Sequence, residues 1–323
     1  MAAIITQINE VASLLKDEAV VGIPTETVYG LAGNIYSAKA VKQIFSIKQR
    51  PFYNPLIVHI PSINSLNKIA TEIPEKAFQL AEAFWPGPLT LVLKKLPSVP
   101  DIVTGGKDTV AIRVPNHPLA LSLLAGLDFP LAAPSANPFG TISPTTAAHV
   151  ASYFKGNDLK VLDGGLCEKG VESTIIGFKK EQPVIYRLGA ITIEEIEEIL
   201  GNVEVNRSHS GSAPEAPGML LSHYAPKASA LLTDDLEKTV SLHSGKKIGI
   251  LVFSKVSLAN EQRYDCEILS VKADLEEASF KFYAALHRLD KQELDLIIME
   301  KFPDMGLGKT INDRMQRAST RRT

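Results

Sequence analysis

Short apolar runs alternate with amphipathic helical segments over residues 1–200 of the chain. A short continuous apolar run is typical of a buried strand, whereas apolar side chains that recur every three or four residues indicate a helix. We predict strands at 19–23, 56–60, 89–93, 109–114, 130–133, 173–177 and 183–187. We predict helices at 38–48, 75–84, 117–125, 145–154 and 192–199. This alternation predicts an α/β domain.

The helix at 38–48 has the clearest pattern, because Ser37 is placed to cap its first turn. One face of this helix carries, at the spacing i, i+3, i+4 and i+7, the side chains of Val41, Ile44, Phe45 and Lys48. Lys48 is therefore predicted to point into the protein with the apolar side chains. Charged side chains on an inward face are uncommon unless they are paired or functional, so Lys48 is a candidate functional residue.

A change of composition divides the chain after residue 200. Residues 206–218 are rich in Ser, Pro and Gly, which is typical of a flexible linker. A second α/β pattern follows, with strands at 246–253, 266–271 and 294–300 and helices at 274–290 and 308–319. We therefore predict a first domain at 1–200, a linker at 201–226 and a smaller C-terminal domain at 227–323.

Composition and charge narrow the class of protein. The chain has 323 residues, 45% of them hydrophobic, which is enough for two domains with cores of their own. Its formal net charge of −2 lacks the basic character that is usual in nucleic-acid binders. Cys167 and Cys266 have no metal-type spacing, so two reduced thiols are expected. We find no secretion signal and no run of ~20 apolar residues, and we expect a cytoplasmic protein without a membrane span.

Two short segments suggest a site for a small polar ligand. The first, residues 24–31 (PTETVYGL), follows the apolar run 19–23, and ligands of open α/β sheets bind at the carboxyl ends of strands. The second, Lys48-Gln49-Arg50-Pro51, ends the helix at a proline. Either cation alone would most simply stabilise the helix dipole. Together they suggest a site for an anion such as a nucleotide phosphate.

His59 lies on the predicted strand 56–60. A single histidine in such a place is more often a satisfied core residue. Its expected convergence with Thr27, Arg50 and Asn54 favours a ligand-facing role instead.

Arg113 ends the predicted strand 109–114, where it is either a surface cation or a planar fork for a carboxylate. The segment 130–137 has the same pattern as 24–31, because a short buried strand is followed by a turn that contains Ser and Asn. The backbone amides and hydroxyls of such a turn suit phosphate or ribose oxygens. Further hydroxyls and a further cation come from Ser173, Thr174 and Arg187. Together these residues predict a polar cleft lined by cations at the strand ends of one domain.

One P-loop resemblance near the C-terminal end is discounted. Residues 306–310 (GLGKT) end like that motif, but the position of its first glycine is Pro303. We therefore interpret them as the start of a helix. The basic residues that follow are interpreted as a solvated face with a small chance of RNA contact, and they are Arg314, Arg317, Arg321 and Arg322.

Several catalytic motifs are absent from the sequence. No His/Cys cluster has zinc spacing, and neither Gly-x-Ser-x-Gly nor a Gly-x-Gly-x-x-Gly after a strand is found. The candidate site is expected to be poor in carboxylates and rich in hydroxyls, Arg and Lys. This composition favours catalysis by positioning and charge neutralisation over a metal cage or a covalent nucleophile.

The motifs resemble those of the YrdC/YciO family, and the whole chain is similar to its long two-domain form, the threonylcarbamoyl-AMP synthases. The matching segments are 22–31 (GIPTETVYGL), 48–51 (KQRP), 54–56 (NPL), 85–90 (WPGPLT), 111–115 (AIRVP), 133–137 (APSAN), 172–174 (EST), 187–190 (RLGA), 216–219 (APGM) and 223–226 (HYAP). The resemblance implies a twisted mixed-sheet domain with a concave cationic cleft, followed by a smaller Rossmann-like α/β/α domain.

The resemblance also implies an activity. ATP, L-threonine and bicarbonate would give threonylcarbamoyl-AMP and pyrophosphate, and another enzyme would transfer the product to position 37 of tRNA. Mg²⁺ is expected to be held mainly by the ATP phosphates, with no metal ligand from protein side chains. Direct tRNA binding is expected to be weak or absent.

The roles implied for single residues fall into two sets. L-threonine would be held by Thr27, His59, Arg113, Ala133 and Ser173. ATP would be held by Arg50, Asn54, Thr109, Ser135, Arg187 and Tyr224. Lys48 would lie beside the phosphates, so that Lys48 and Arg50 offset the charge that develops in the transition state. Tyr224, in the linker, would close over the nucleotide as a lid.

Two other functions remain open at this point. An RNA-binding or ribosome-maturation protein could use the cationic cleft on a nucleic-acid backbone, although the acidic charge balance counts against it. A maturation enzyme that uses carbamoyl phosphate could share the fold, but those relatives resemble larger chains with Cys-x-x-Cys segments, which this sequence lacks.

Overall fold

The structure is a computed structural model that describes residues 2–206, 216–217, 219, 223–256, 258 and 261–320. The central part of the predicted linker, the terminal Arg321 and Arg322, and Gly218 lie outside the described residues. The chain divides into two compact units. The first comprises Met1–Phe139, Pro144–Glu168 and Glu172–Leu220, and the second comprises Gly140–Ser143, Lys169–Val171 and Leu221–Thr323.

The first unit is an α/β structure around one large sheet. Its strands are β1 (Ala3–Ile5), β2 (Val21–Ile23), β3 (Gly30–Asn34), β4 (Ile57–His59), β5 (Leu89–Lys94), β6 (Thr109–Arg113), β7 (Leu131–Ala132), β8 (Lys160–Leu162), β9 (Thr174–Lys179), β10 (Gln182–Arg187) and β11 (Glu204–Val205). Its helices are α1 (Ile8–Lys16), α2 (Ala38–Lys48), α3 (Glu75–Phe84), α4 (Asp101–Thr104), α5 (Pro118–Ala125), α6 (Ala147–Tyr153) and α7 (Ile193–Leu200), with a 3₁₀ turn at Ile63–Lys68.

The sheet of the first unit is mixed. In the described part of the chain, its strand order is β1-β8-β2-β3-β7-β4-β6-β5-β9-β10-β11. The central strands β4 and β6 are parallel, whereas β7 and β5 run antiparallel to them on either side. The carboxyl ends of some strands therefore lie beside the amino ends of others. This confirms the predicted α/β class and the mixed sheet.

Alternate residues of the strands pack on opposite faces of this sheet, as the period of two requires. On β4 and β6, Val58 and Ile112 belong to the main core, together with residues of α2 and α3. The neighbouring residues Ile57 and Ala111 face the other way and pack with Ala216. Two residues further along each strand, this second face carries His59 and Arg113. The candidate site is built on this face.

Helix α2 has the predicted bounds and the predicted cap, because the Ser37 hydroxyl accepts a hydrogen bond from the Ala40 amide. Lys48 is buried with the apolar face of the helix, as predicted. The helix ends at Gln49, which adopts a left-handed conformation with φ 53°.

The second unit is a smaller three-layer α/β structure. Its elements are β12 (Ser229–Thr233), α8 (Leu236–Leu242), β13 (Ile248–Val252), β14 (Asp265–Ile268), α9 (Leu275–Asp290), β15 (Leu296–Glu300) and α10 (Leu307–Ser319). All four strands are parallel, in the order β12-β15-β13-β14. Helix α10 begins after Gly306, within the GLGKT segment, as predicted.

The prediction of a solvated basic face on α10 is wrong for Arg314 and Arg317. Both side chains are buried and pair with Asp313, at 3.0 Å for Arg317 Nε. The Arg314 guanidinium also lies 4.9 Å from the centre of the Tyr224 ring. Burial alone would raise the pKa of the Asp313 carboxyl, but the two arginines outweigh it and hold that pKa below its usual value.

Candidate active site

The turn after β2 presents a buried hydroxyl residue, Thr27. The Thr25 hydroxyl donates to the Val28 carbonyl and accepts from the amides of Thr27 and Val28. The hydroxyls of Thr25 and Thr27 are 2.9 Å apart. Thr25 therefore fixes the turn, and Thr27 is held on the inside of it with no exposed surface.

His59 and Arg113 lie side by side at the carboxyl ends of β4 and β6, where they are paired in register. Arg113 Nε donates to the carbonyl of Gly87 at 3.2 Å. Because β5 runs antiparallel to β6, its amino end meets this edge, and β9 brings Thr174 opposite Leu89 there. Ser173, which directly precedes β9, therefore lies at the same edge of the sheet as His59 and Arg113.

Glu26 was not singled out from the sequence, yet it reaches Arg113. Its Oε1 atom lies 2.8 Å from Arg113 Nη2, and both side chains are at most 5% exposed. Glu26 is one carboxylate in a site that was expected to be poor in carboxylates. In the sequence, Glu26 lies between Thr25 and Thr27. Its position within this turn of hydroxyl residues was the feature of the sequence that could have identified it.

Burial keeps His59 and Cys167 uncharged near the pair formed by Glu26 and Arg113. Burial, reinforced by the Arg113 charge, lowers the pKa of His59 to about 3, so His59 is neutral at physiological pH. Its Nδ1 atom is buried without a hydrogen-bond partner among the described residues. Burial also raises the pKa of the Cys167 thiol far above its usual value, and Glu26 adds to that shift. His59 and Cys167 are therefore uncharged at physiological pH beside the ion pair of Glu26 and Arg113.

Arg187 and Ser173 form a second pair. Arg187 donates through Nε and Nη2 to the carbonyl of Ser173, at 3.2 and 2.8 Å, and through Nη2 to its hydroxyl at 3.1 Å. The Ser173 hydroxyl also lies 2.7 Å from that of Thr90. Arg187 Nη1 donates to the carbonyl of Pro217 at 3.2 Å, so that a residue of the predicted linker is held at this edge.

The other predicted ATP residues gather at the opposite edge, at the amino ends of β4 and β6. Arg50 donates through Nε to the Asn54 carbonyl, and through Nη2 to the Asn54 side chain and the Pro55 carbonyl. Thr109 begins β6, in parallel register with β4. Four residues of strand separate Thr109 from Arg113, which is about 13 Å at 3.3 Å per residue.

Lys48 contacts the turn that carries Ser135 at this second edge. Its Nζ atom donates to the carbonyls of Ser135 and Asn137, at 2.5 and 2.6 Å. Burial, with the nearby Arg50 charge, lowers the pKa of Lys48 well below its usual value. Lys48 thus fixes the turn that carries Ser135. The turn itself bridges back to Gly30.

The structure therefore sorts the predicted residues of the first unit along one sheet face. His59, Arg113 and Ser173 share one edge with Arg187. Arg50, Asn54, Thr109 and Ser135 share the other. Ala133 lies nearer the second edge, because its amide donates to the carbonyl of Ile57, the first residue of β4.

Tyr224, the predicted lid, lies in the second unit. Its ring is 4.1 Å from that of His223 and 5.9 Å from that of Tyr283, and its backbone is left-handed with φ 63°. The side chain is buried in this aromatic cluster. A role over the nucleotide stays a prediction.

Among the described residues, no group of three or more His, Cys, Asp or Glu side chains is arranged to hold a metal ion. No helix of this part of the chain is long and apolar enough to cross a membrane.

Comparison with known proteins identifies the family. The Sua5_yciO_yrdC family, described as "Telomere recombination", matches residues 13–189, and the family described as "Threonylcarbamoyl-AMP synthase, C-terminal domain" matches residues 191–320. A Bacillus subtilis protein named threonylcarbamoyl-AMP synthase is 40% identical over 97% of this chain and 93% of its own. The protein of that name from Pyrococcus abyssi is 39% identical over 97% of this chain and 94% of its own.

A solved structure extends the likeness to the fold. The crystal structure of Pyrococcus abyssi Sua5 complexed with L-threonine matches with a TM-score of 0.91 and 38% identity, over 99% of this chain and 97% of that one. The chain therefore belongs to the Sua5/YciO/YrdC family. It aligns over nearly its whole length with members that are named threonylcarbamoyl-AMP synthase.

Proposed function

We propose that this protein is an L-threonylcarbamoyladenylate synthase, a nucleotidyltransferase that converts L-threonine, bicarbonate and ATP into threonylcarbamoyl-AMP and pyrophosphate. The observation that carries the proposal is the arrangement along β6, with Arg113 at one end and Thr109 at the other, about 13 Å apart. This arrangement supports the proposal that one edge of the sheet binds a carboxylate and a separate edge binds a nucleotide. The full-length relatives bear the name of this activity.

In this proposal, the first edge holds L-threonine. The guanidinium of Arg113 suits the substrate carboxylate, because arginine binds carboxylates through two parallel hydrogen bonds. The hydroxyls of Thr27 and Ser173 and the neutral imidazole of His59 suit the hydroxyl and the amine of threonine. Ala133, next to β7, would line the threonine site from the side of the second edge. The hydroxyls and the neutral imidazole carry no charge. The charges of the threonine carboxylate and ammonium group would therefore be balanced by Arg113 and Glu26.

The second edge would hold ATP. Arg50, Asn54, Thr109 and Ser135 supply donors and hydroxyls for the nucleotide, and Arg187 reaches it from the threonine edge. Lys48 would act through the turn that it holds by two carbonyl bonds, as well as through its proximity to the phosphates. We propose that Mg²⁺ arrives with the ATP phosphates, since the donors at this edge are cations and hydroxyls rather than carboxylates.

The chemistry requires both edges at once. The amine of threonine and bicarbonate must join into a carbamate, which is unstable in water and needs a site that excludes solvent. A carbamate oxygen then attacks the α-phosphorus of ATP, and pyrophosphate leaves. Fixed positive charge lowers the barrier to such a transfer. We propose further that Tyr224 closes over the nucleotide, as linker residues Ala216 and Met219 already pack on the site's sheet face.

The wider biological setting remains part of the proposal. The product would serve threonylcarbamoyladenosine formation at position 37 of tRNA, through a separate transfer enzyme, with weak or no tRNA binding by this chain. We propose a cytoplasmic location, which suits two cysteines that form no disulfide.

The test is pyrophosphate release from ATP and Mg²⁺, measured with and without L-threonine and with and without bicarbonate. We expect release only when both are present. Release that is independent of either substrate would contradict the proposal, and so would no release from a folded, monodisperse sample. In the second case, salt-sensitive RNA affinity of that sample would support the RNA-binding alternative.

A further inference from the structure

Glu26 is a carboxyl side chain in an interior position with spare hydrogen-bonding capacity. It is 3% exposed, in the turn between Thr25 and Thr27. Both carboxylate oxygens are buried without a hydrogen-bond partner among the described residues. Buried polar atoms are nearly always satisfied, and leaving them unsatisfied costs free energy. Such an exception points to a ligand group that completes the site.

Arg113, the ion-pair partner of Glu26, also has unused hydrogen-bonding capacity. Its Nη2 atom lies 2.8 Å from Glu26 Oε1, yet Nη2 also lacks a hydrogen-bond partner among the described residues. The two charges are close, but the N–H does not point at the oxygen. Arg113 is oriented instead by the bond from Nε to the Gly87 carbonyl. The guanidinium of Arg113 and the carboxylate of Glu26 thus form an ion pair in which both groups keep unused hydrogen-bonding capacity.

This pair is complementary to an amino acid zwitterion. A carboxylate that takes the guanidinium edge of Arg113 would place its own α-amine, two bonds away, near the oxygens of Glu26. His59, which is neutral, and Thr27, which has a hydroxyl, cannot balance the charge of an ammonium group. We propose that Glu26 binds the α-amine of L-threonine and accepts its proton when the carbamate forms. This inference rests on the proposed function.

The proton transfer balances the reaction. An ammonium group and bicarbonate give a carbamate, one water molecule and one proton. Glu26 takes that proton from the ammonium group, so its carboxylate becomes a carboxylic acid. The nitrogen lone pair then bonds to the bicarbonate carbon, the carbon–hydroxyl bond breaks, and the hydroxyl leaves as water with a second proton from the nitrogen. The ionisable side chains that the structure places around Glu26 are Arg113, Cys167 and, one strand beyond Arg113, His59. The thiol is protonated and the imidazole is neutral at physiological pH, so neither competes for the role.

The first test compares two ligands by calorimetric titration without ATP. (R)-3-hydroxybutyrate has the carboxylate and the hydroxyl of L-threonine but not the amine. We expect the wild-type protein to bind L-threonine at least tenfold more tightly. In Glu26→Gln, we expect threonine affinity to fall at least tenfold, with hydroxybutyrate affinity changed less than threefold. The exposed Glu82→Gln is the matched control and should change neither.

Two results would overturn the inference. Equal wild-type affinity for the two ligands would do so without any variant, even if Glu26→Gln failed to fold. Equal losses for both ligands in Glu26→Gln would show that Glu26 only supports Arg113. A wild-type protein that binds threonine but releases no pyrophosphate would contradict the proposed function alone, because the comparison of affinities would still decide the role of Glu26.

The second test is the pH profile of pyrophosphate release. If Glu26 accepts the proton, the rate of Glu26→Gln should be about 100-fold below wild type at pH 7.5, and this deficit should shrink as the pH approaches 9.5, where more of the threonine amine is already neutral. A deficit that stays constant over this pH range would contradict the proton-acceptor role.

Discussion

The four cations of the site share one mode of attachment, which is a hydrogen bond to a main-chain carbonyl. Lys48 bonds to the Ser135 and Asn137 carbonyls, Arg50 to those of Asn54 and Pro55, Arg113 to that of Gly87, and Arg187 to those of Ser173 and Pro217. Carbonyl bonds fix a side chain without neutralising its charge. The four basic side chains are therefore positioned by the backbone, and Arg113 is paired with Glu26 as well. Such fixed polar groups are what electrostatic catalysis requires.

The first residue-scale prediction concerns Lys48. Lys48→Met keeps the volume but leaves two carbonyls of the Ser135 turn without their donor. We expect the fold to be retained with unfolding free energy lower by about 1–3 kcal/mol, and kcat/KM for ATP to fall at least ~100-fold because the turn loses its position. Steady-state kinetics and denaturation measure the two effects. Lys42→Met, on the exposed side of the same helix, should change neither. A Lys48→Met enzyme of normal rate would rule out this role.

The second concerns His59 and pH. Its pKa of about 3 in the folded protein lies below the ordinary value of 6.5, so below pH 6.5 the unfolded chain binds a proton that the folded chain does not. Stability is therefore lost as the pH falls from about 6.5 towards 3, by about 2 kcal/mol between pH 7 and pH 5. His59→Gln should remove this part of the loss. Fluorescence of the single tryptophan, Trp85, reports unfolding of the first unit.

The same substitution at the half-exposed His243 is the control for His59. An unchanged difference in unfolding free energy between pH 7 and pH 5 in His59→Gln would show that His59 does not stay neutral in the folded protein.

At the scale of elements, the sequence predicted seven strands and five helices of the first unit, but it missed α1, α4, β1, β8 and β11 among the described elements. Helix α2, its Ser37 cap and the inward position of Lys48 are confirmed. Strand β3 was missed because two glycines in five residues read as a turn, although this segment is a buried strand between β2 and β7. Strand β12 and helix α8 were missed because their apolar runs are short. Tertiary pairing decides such segments, and a local pattern does not contain it.

Site residues could be named from their place in motifs, but their partners could not. The pairing of Glu26 with Arg113 spans 87 positions of the chain, and the bond of Arg187 to Ser173 depends on the antiparallel register of β9 and β10. Long-range register is set by the whole sheet. The burial of Arg314 depends likewise on Asp313 and on the Tyr224 ring.

The element-scale prediction concerns Gly189, which lets two strand ends approach. A Cβ atom at this position would lie 2.3 Å from the Ser173 carbonyl carbon and from the Thr174 amide nitrogen. Gly189→Ala must therefore displace the start of β9, which moves Ser173. We expect the KM for threonine to rise at least ~10-fold, and the unfolding free energy to fall by about 1–3 kcal/mol.

Kinetics at saturating ATP measure the change in KM. Gly156→Ala is the control, because a Cβ atom there would meet nothing within 4 Å. If Gly189→Ala kept the wild-type KM for threonine, Ser173 would not belong to the threonine edge.

At the scale of the whole molecule, the chain forms two units whose boundaries do not follow the chain order. The short segments Gly140–Ser143 and Lys169–Val171 belong to the second unit. Gly140 accepts a backbone bond from Ala225, and the Ser279 hydroxyl donates to the Lys169 carbonyl. A domain prediction from composition could not find these two segments, because each is only a few residues long and carries no distinct composition.

The measurement that tests the account most directly is isotope incorporation into the product. The protein is incubated with ATP, Mg²⁺, ¹⁵N-labelled L-threonine and ¹³C-labelled bicarbonate, and the adenylate is analysed by mass spectrometry and NMR. We expect an adenylate that contains both labels, with the ¹³C atom bonded to the ¹⁵N atom. A threonyl adenylate that carries ¹⁵N but no ¹³C would show that the amino acid's carboxylate attacks ATP, and it would contradict carbamate formation at this site.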